Sequence, residues 1–212
     1  MFNKENAYKL VSPEDHREFY DDWANTYDED FIKKENYRYP KKITNIYIEL
    51  ANSNHTPIAD IGCGTGVVGR YFKGTDFLID GYDISNGMLI EARKKNFYRE
   101  LYELDITESE KLPKSKYNGI ISCGTFTFGH LGAEYLINII EMLDKGGLGV
   151  IGINKAHFTK SNFKEEVKSL ESSKKINEVR ILEEPIYSDE ALENVNNIQD
   201  DEIANILTFK VS

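Results

Sequence analysis

The chain has 212 residues, 40% of them hydrophobic and 29% charged, which is enough for one sizeable buried core in a single domain. Its formal net charge of −10 opposes a large nucleic-acid footprint, because such binding depends on lysine and arginine neutralising phosphates. No run approaches the ~18 apolar residues that a membrane helix needs, and two cysteines with no apolar leader give the expectation of a reducing, cytoplasmic location, as monomer or homodimer.

In chain order, Ser12-Pro13-Glu14-Asp15 reads as a helix start, with a capping hydroxyl, a proline in the first turn and acids at the positive end of the helix dipole. The helix it opens carries Phe19, Trp23, Tyr27 and Phe31 at four-residue spacing, an aromatic stripe flanked by Tyr20 and Ala24. A second helix follows Pro40, with Ile43, Ile46, Tyr47, Leu50 and Ala51 on the face that should meet a sheet. From Ile58 short apolar runs alternate with helical patterns: strands over 58–61, 77–82, 100–104, 117–122 and 148–153, and helices from about 66, over 85–95 and over 132–143. In the last of these helices Ala133, Leu136, Ile137, Ile140 and Leu143 face inward, and Gly146-Gly147 supplies the stop. A mixed-charge helix over about 160–175 precedes strand-like runs at Val179–Leu182 and Ile203–Val211. Residues 183–202 hold many acids and no lysine or arginine, the pattern of a solvated loop or else of a lid facing a cation. Such alternation predicts an α/β fold with a mostly parallel sheet and helices on both faces.

The chemistry concentrates in Ile58-Ala59-Asp60-Ile61-Gly62-Cys63-Gly64-Thr65-Gly66-Val67-Val68-Gly69, an apolar strand, a carboxylate and a glycine-dense turn entering a helix. Glycines there permit unusual backbone angles and remove the Cβ atoms that would keep a ligand from the main chain. Gly64-x-Gly66-x-x-Gly69 matches the generic dinucleotide fingerprint, but Asp60 precedes the turn where a pyrophosphate would find no use for negative charge. A carboxylate there suits a cationic ligand group. Asp83 closes the next apolar run, where it could accept from both hydroxyls of a ribose, and Asp105 closes the third.

Asp60-Ile61-Gly62-Cys63-Gly64-Thr65-Gly66, Tyr82-Asp83-Ile84-Ser85 and Leu104-Asp105-Ile106 resemble the first three motifs of class I S-adenosylmethionine-dependent methyltransferases. Ile121–Leu131 and Leu143–Leu148 are similar to the small-molecule branch that includes Williams-Beuren-region methyltransferase-like proteins, so the likeness spans roughly residues 15–155. The resemblance implies a three-layer sandwich around a seven-stranded sheet of order 3-2-1-4-5-7-6, the last strand antiparallel. It divides one domain into a helical cap (1–54), a cofactor-binding core (55–155) and C-terminal, acceptor-side elements (156–212).

It also implies cofactor contacts. Asp60 would face the ammonium of S-adenosylmethionine directly or through water, while the amides from Gly62 to Gly66, Cys63 and Gly64 included, face its other polar atoms. Asp83 with Ile84 takes the ribose, Asp105 with the Ile106 amide takes the adenine edge, and Met88 closes over the adenine as core packing. Tyr20 and Tyr27, the latter in a Tyr27-Asp28 pair, would contact the cofactor from the cap, and Cys123 ends the fourth strand beside it as small apolar filler. Cys63 and Cys123 have no set of four ligands for a metal. Local structure is the competing reading for Asp60, Asp83 and Asp105, as turn formers or caps, and for the tyrosines, as cap anchors.

His130 is the candidate base at the site's mouth and His157 a second, while His16 and His55 read as surface residues. Methyl transfer needs little beyond a desolvated, in-line approach, so a dedicated base is optional. Ser122-Cys123-Gly124-Thr125-Phe126 lacks the proline pair of base N-methyltransferases. The expected reaction moves a methyl group to an O, N or S nucleophile of a small molecule and releases S-adenosylhomocysteine, with neither nucleic acid nor membrane as partner. A protein or tRNA methyltransferase, a nicotinamide-dependent oxidoreductase and a non-catalytic S-adenosylmethionine-binding protein are the alternatives.

Overall fold

A computed structural model describes residues 2–212. Seven strands, β1 (Ile58–Ile61), β2 (Ile79–Asp83), β3 (Leu101–Glu103), β4 (Tyr117–Phe126), β5 (Leu143–Asn154), β6 (Ile176–Pro185) and β7 (Ile203–Val211), form one sheet of order β3-β2-β1-β4-β5-β7-β6. β1 through β5 pair in parallel, and β7 runs antiparallel to both β5 and β6, as the resemblance implies. β1 is buried at every position, since it lies at the centre of the sheet with helices covering both faces.

On one face α3 (Tyr39–Leu50) lays Tyr39, Ile43 and Tyr47 against Ile58, Ile121, Val150 and Ile206. Leu50, expected on that face, is 38% exposed. On the other face α5 (Leu136–Ile140) and α7 (Phe163–Ser172) bury Leu136, Ile139, Phe163 and Val167 against Ile120, Ile151, Leu207 and Phe209. Fully burying side chains of this kind contributes about 1.5–3 kcal/mol each, so the two clusters hold the sheet rigid beneath the loops at its carboxyl end. The sheet leaves room for aromatic rings by using glycine: a Cβ on Gly152 would lie 1.5 Å from the Tyr39 hydroxyl. Gly152→Ala is therefore expected to cost about 1–3 kcal/mol of stability through overpacking, read as a lowered midpoint in urea unfolding.

Ahead of the sheet come the short α1 (Lys4–Ala7) and then α2 (Pro13–Trp23), whose Ser12 and Asp15 form a reciprocal capping box. The aromatic stripe outlasts the helix. After Trp23 the chain turns and resumes as a π-helical stretch, Asp28–Lys33, yet Phe19–Trp23, Trp23–Tyr27 and Tyr27–Phe31 ring centroids stay 5.5, 4.8 and 5.3 Å apart.

Three expectations need correction. The helix expected from about 66 is a single 3-10 turn, Gly69–Phe72, because the Gly69 amide donates to the Tyr98 hydroxyl (3.0 Å) and so does not serve an α-helical ladder. The helix expected over 132–143 shrinks to a 3-10 turn at Ala133–Tyr135 and α5, because Leu143 already pairs with Tyr117 as the first residue of β5. Gly146 (φ +79°) and Gly147 thus lie at an irregularity of that strand pair. The C-terminal helix splits into α6 (Lys155–Lys160) and α7 at the left-handed Asn162. The acidic stretch 183–202, which begins within β6, is partly paired: Asp189 with Arg38 and Lys41, Glu184 with Lys42, and Glu183 and Asp200 with Lys155. The basic partners come from α3, from Arg38 just ahead of it and from α6, out of reach of any local count of charge. The remaining helix, α4 (Asn86–Lys95), follows β2, begins at a Ser85 cap and ends at a left-handed Asn96.

Candidate functional site

A cavity of about 290 Å³ opens above the carboxyl ends of β1, β2 and β4 and is roofed by α2 and the residues after it. This is where the strand order reverses direction from β1 outward, the crevice in which open α/β sheets take ligands. Of the residues singled out in the sequence, Tyr20, Tyr27, Gly62, Cys63, Gly64, Asp83, Ile84, Met88, Asp105, Ile106, Cys123 and His130 line it. Asp60 and Gly66 do not.

The glycine turn explains the division. Gly62 sits at φ +68°, and a Cβ there would lie 2.0 Å from Thr125 Oγ1, whose hydroxyl donates to the Ile61 carbonyl (2.9 Å). Gly64, at φ +51°, has open space where its Cβ would be, so the main chain is bare toward the cavity. Gly66 instead faces the Tyr98 ring, 2.9 Å from where its Cβ would stand. The Tyr98 ring is wedged beneath the turn, where its hydroxyl accepts from the Gly69 amide and donates to Asp60 Oδ2 at 2.6 Å.

Asp60 is a buried brace beneath the turn and does not itself line the cavity, where the motif resemblance has it facing a ligand's ammonium directly or through water. It is wholly buried, and its Oδ1 has no hydrogen-bond partner among the described residues. Burial raises its carboxyl to about 7, against the Tyr98 bond that lowers it. The turn amides are engaged within the protein. Gly62 and Cys63 both donate to the Tyr82 carbonyl (2.8 and 3.0 Å), Gly66 donates to the Cys63 carbonyl (2.9 Å), and Gly64 donates to Asp83 Oδ2 (2.8 Å). Four amides that could have cradled an anion are spent inside the protein.

Asp83 stands at the end of β2 with Oδ1 accepting from the Ser85 amide (2.9 Å). Burial pushes its carboxyl up to about 6, with the two amide bonds opposing. Each oxygen keeps a lone pair that can accept a further hydrogen bond. Asp105 Oδ1 is occupied by the amide and hydroxyl of Thr107 (2.8 and 2.7 Å), the turn geometry its residue type favours, which leaves Oδ2 for the cavity. Cys123 Sγ lies 3.7 Å from the Tyr37 hydroxyl, and burial pushes the Cys63 and Cys123 thiols up, so neither is a thiolate at neutral pH.

Two acids on the cap fasten it to the sheet. Asp21 Oδ1 accepts from Ser85 Oγ (2.6 Å) and the Gly87 amide (2.7 Å), and Asp28 accepts from Thr65 Oγ1 (2.5 Å) and pairs with Lys95. Asp28 belongs to the Tyr27-Asp28 pair noted in the sequence; Asp21 carried no signal there, because one aspartate on an exposed helix face looks like any other. Asp21→Ala should loosen the roof, expected as a severalfold faster release of S-adenosylhomocysteine in stopped-flow fluorescence from Trp23, with little change in the unfolding midpoint.

His130 Nδ1 lies 3.0 Å from the Phe128 carbonyl, which can only accept, so the ring's Nδ1 carries the hydrogen and Nε2 accepts from the Tyr20 hydroxyl at 2.8 Å. Burial pushes His130 down to about 4 and keeps it neutral. His157 lies outside the cavity lining, buried, with Nε2 3.1 Å from the Leu131 carbonyl. His16 and His55, expected at the surface, are buried at 8% and 6% exposure.

Residues 58–147 match the sequence model of the family described as "Methyltransferase domain". That match covers under half of the chain, and the seven-stranded sheet of order β3-β2-β1-β4-β5-β7-β6 is that of the Rossmann-like methyltransferase fold. Among solved structures it is similar to magnesium protoporphyrin IX methyltransferase from Synechocystis PCC 6803 with bound S-adenosylmethionine, at 15% identity over 96% of this chain and 98% of that one, TM-score 0.65. It is also similar to a methyltransferase of Thermotoga maritima (15% identity, 92% and 98% covered, TM-score 0.61) and to a Haloferax volcanii complex that contains the Trm112 methyltransferase activator (15%, 91% and 96%, TM-score 0.61). At this identity these structures speak for the fold. No curated protein matches the sequence. The matches do not extend to the narrower likeness to Williams-Beuren-region proteins.

Proposed function

We propose that the protein transfers a methyl group from S-adenosylmethionine to a nucleophilic atom of a small molecule and releases S-adenosylhomocysteine. One observation carries the cofactor half of this reading: the glycine turn spends the amides of Gly62, Cys63, Gly64 and Gly66 within the protein, while Asp83 and Asp105 line the cavity. A pyrophosphate would meet carboxylates and few free amides, whereas a cationic sulfonium on an uncharged adenosine suits that environment. This is also what disfavours a nicotinamide cofactor.

In this reading Asp83 accepts from the ribose hydroxyls, Asp105 and Ile106 meet the adenine edge, Met88 and Ile84 pack against it, and Gly62 and Gly64 give the close approach. Tyr20, Tyr27, Cys63 and Cys123 enclose the remainder. Asp60 acts through Tyr98 and the turn. When bound, the cofactor supplies an activated methyl group; the protein's part is to hold nucleophile and methyl in line and exclude water, which the roof of α2 does.

A small acceptor is supported by the enclosure: the cavity runs on from the glycine turn to His16, Tyr135 and Tyr187 beneath the cap, and the overall charge opposes nucleic acid. The test is to incubate methyl-labelled S-adenosylmethionine with the protein and a cell extract separated by size. Label in the low-molecular-weight fraction is expected; label confined to protein or RNA would establish the macromolecular reading instead, and binding with no label transfer to either fraction would favour a non-catalytic role. No helix among the described residues is long and apolar enough to cross a membrane.

A further inference from the structure

His16 occupies a position that neither its sequence context nor the cofactor reading explains. It lies in the first turn and a half of α2, lines the cavity and is 8% exposed. Its Nδ1 is 2.7 Å from the Ser12 carbonyl, which can only accept, so Nδ1 carries a hydrogen and the neutral ring's lone pair is on Nε2. That Nε2 is buried and has no hydrogen-bond partner among the described residues. A buried polar atom left in this state costs about 1–3 kcal/mol, so an unpaired one on a residue that lines a cavity points to a ligand atom as its partner. Thr127 Oγ1 is a second such atom: the residue lines the same cavity, is 7% exposed and its hydroxyl has no partner among the described residues. Both flank His130, whose ring centroid lies 4.5 Å from that of His16 and whose amide donates to the Thr127 carbonyl at 3.1 Å.

The lining around them is aromatic and nearly free of cations. Tyr8, Tyr20 and Tyr135 lie there with Leu131, and among the described residues Lys4 is the one lysine or arginine that lines the cavity, its Nζ 5.1 Å from the centre of the Tyr187 ring. An anionic acceptor would lack a counter-charge beside His16, whereas a flat uncharged ring would be well packed.

We propose that His16 Nε2 and Thr127 Oγ1 form the acceptor subsite, and that it takes an uncharged aromatic molecule whose nucleophilic atom carries a hydrogen. The proposal rests on the methyl-transfer reading. His16 receives the proton: the nucleophile's lone pair forms a bond to the methyl carbon, the carbon–sulfur bond breaks with its electron pair passing to sulfur to give the neutral thioether, and the hydrogen of the nucleophile leaves as a proton to His16 Nε2, giving imidazolium. Thr127 donates to or accepts from a second polar atom on the ring. His130 is a poorer recipient, because its Nε2 already accepts from Tyr20; its work is to hold the Tyr20 ring and thereby the roof.

The test titrates phenol and anisole, equal in ring and differing in the hydroxyl hydrogen, into the S-adenosylhomocysteine complex by calorimetry, with wild type and His16→Phe compared. Phenol is expected to bind wild type about tenfold more tightly than anisole, the worth of one buried hydrogen bond, and that advantage should vanish in His16→Phe while S-adenosylhomocysteine affinity is unchanged. Equal binding of phenol and anisole to wild type, or an advantage that survives in His16→Phe, overturns the proposal. Should the variant fail to fold, wild type labelled with nitrogen-15 in histidine decides: phenol alone should move the His16 Nε2 resonance, and an unmoved resonance overturns the proposal. Failure of S-adenosylhomocysteine to bind at all would count against the methyl-transfer reading, and the phenol and anisole comparison can then be run on the free protein, so the two failures are told apart.

Discussion

Asp83→Ala is expected to weaken S-adenosylmethionine binding by about 2–3 kcal/mol, a thirty- to one-hundred-and-fifty-fold rise in Kd, with the protein still folded. Two effects add. The ribose hydroxyls lose a charged acceptor, and the amides of Gly64 and Ser85 lose theirs, so the turn that bares the main chain to the cavity is no longer held. Asp83→Asn separates them, since it keeps one amide acceptor and removes the charge. The same residue sets a pH dependence. With its carboxyl raised to about 6 in the free protein by burial, Asp83 is ionised above pH 6. Hydrogen bonds from the ribose favour the ionised form and so lower that value on binding. Affinity should therefore be full above pH 7 and fall as pH drops through 6, and the slope should flatten in Asp83→Asn. Calorimetry at pH 5.5, 6.5 and 7.5 checks it; an equal decline in the variant would assign the titration elsewhere.

Tyr98→Phe should produce the largest loss of stability among single-atom changes, about 2–3 kcal/mol at neutral pH. The missing hydroxyl leaves the wholly buried Asp60 with neither oxygen bonded and the Gly69 amide without its acceptor. Here too the sign with pH is fixed. Asp60's carboxyl is raised on folding to about 7, so between its unfolded value and pH 7 the folded state holds a proton that the unfolded state releases. Stability from this group is therefore fully present below the unfolded value and is lost as pH rises through 7. Removing the Tyr98 bond, which favours the carboxylate, raises the folded value further. The penalty of Tyr98→Phe should accordingly be larger at pH 8 than at pH 5, as read from urea unfolding at the two pH values. An equal penalty at both would mean that Asp60 keeps its charge state throughout.

The sheet was legible in the sequence because its signals are local. β1 and β7 are short apolar runs bounded by turn residues, and the observed spans, Ile58–Ile61 and Ile203–Val211, coincide with the runs. The strand order and the antiparallel β7 came from the motif resemblance, since pairing partners far apart in sequence leave no mark on either strand. At the site, Asp83 and Asp105 were legible because acids closing successive apolar runs must gather at one edge of a parallel sheet. Tyr98 was not: it sits in the loop after α4, and only the fold brings it under Gly66 and Gly69, where it supplies the reason for those glycines and donates to Asp60. The engagement of the Gly62 and Cys63 amides was equally hidden, because the Tyr82 carbonyl that takes them belongs to another strand. His16 misled for a related reason. A histidine beside Asp15 and Arg17 reads as solvated, and its burial depends on His130, which is remote in the chain.

The central claim is the identity of the ligand held by the glycine turn. Calorimetric titration of the folded protein with S-adenosylmethionine and S-adenosylhomocysteine, with NAD as control, tests it most directly. Micromolar binding of both sulfur compounds and none of NAD is the expected result. Binding of NAD alone, or of none of the three by protein shown to be folded, would contradict it and return the turn to a purely structural role.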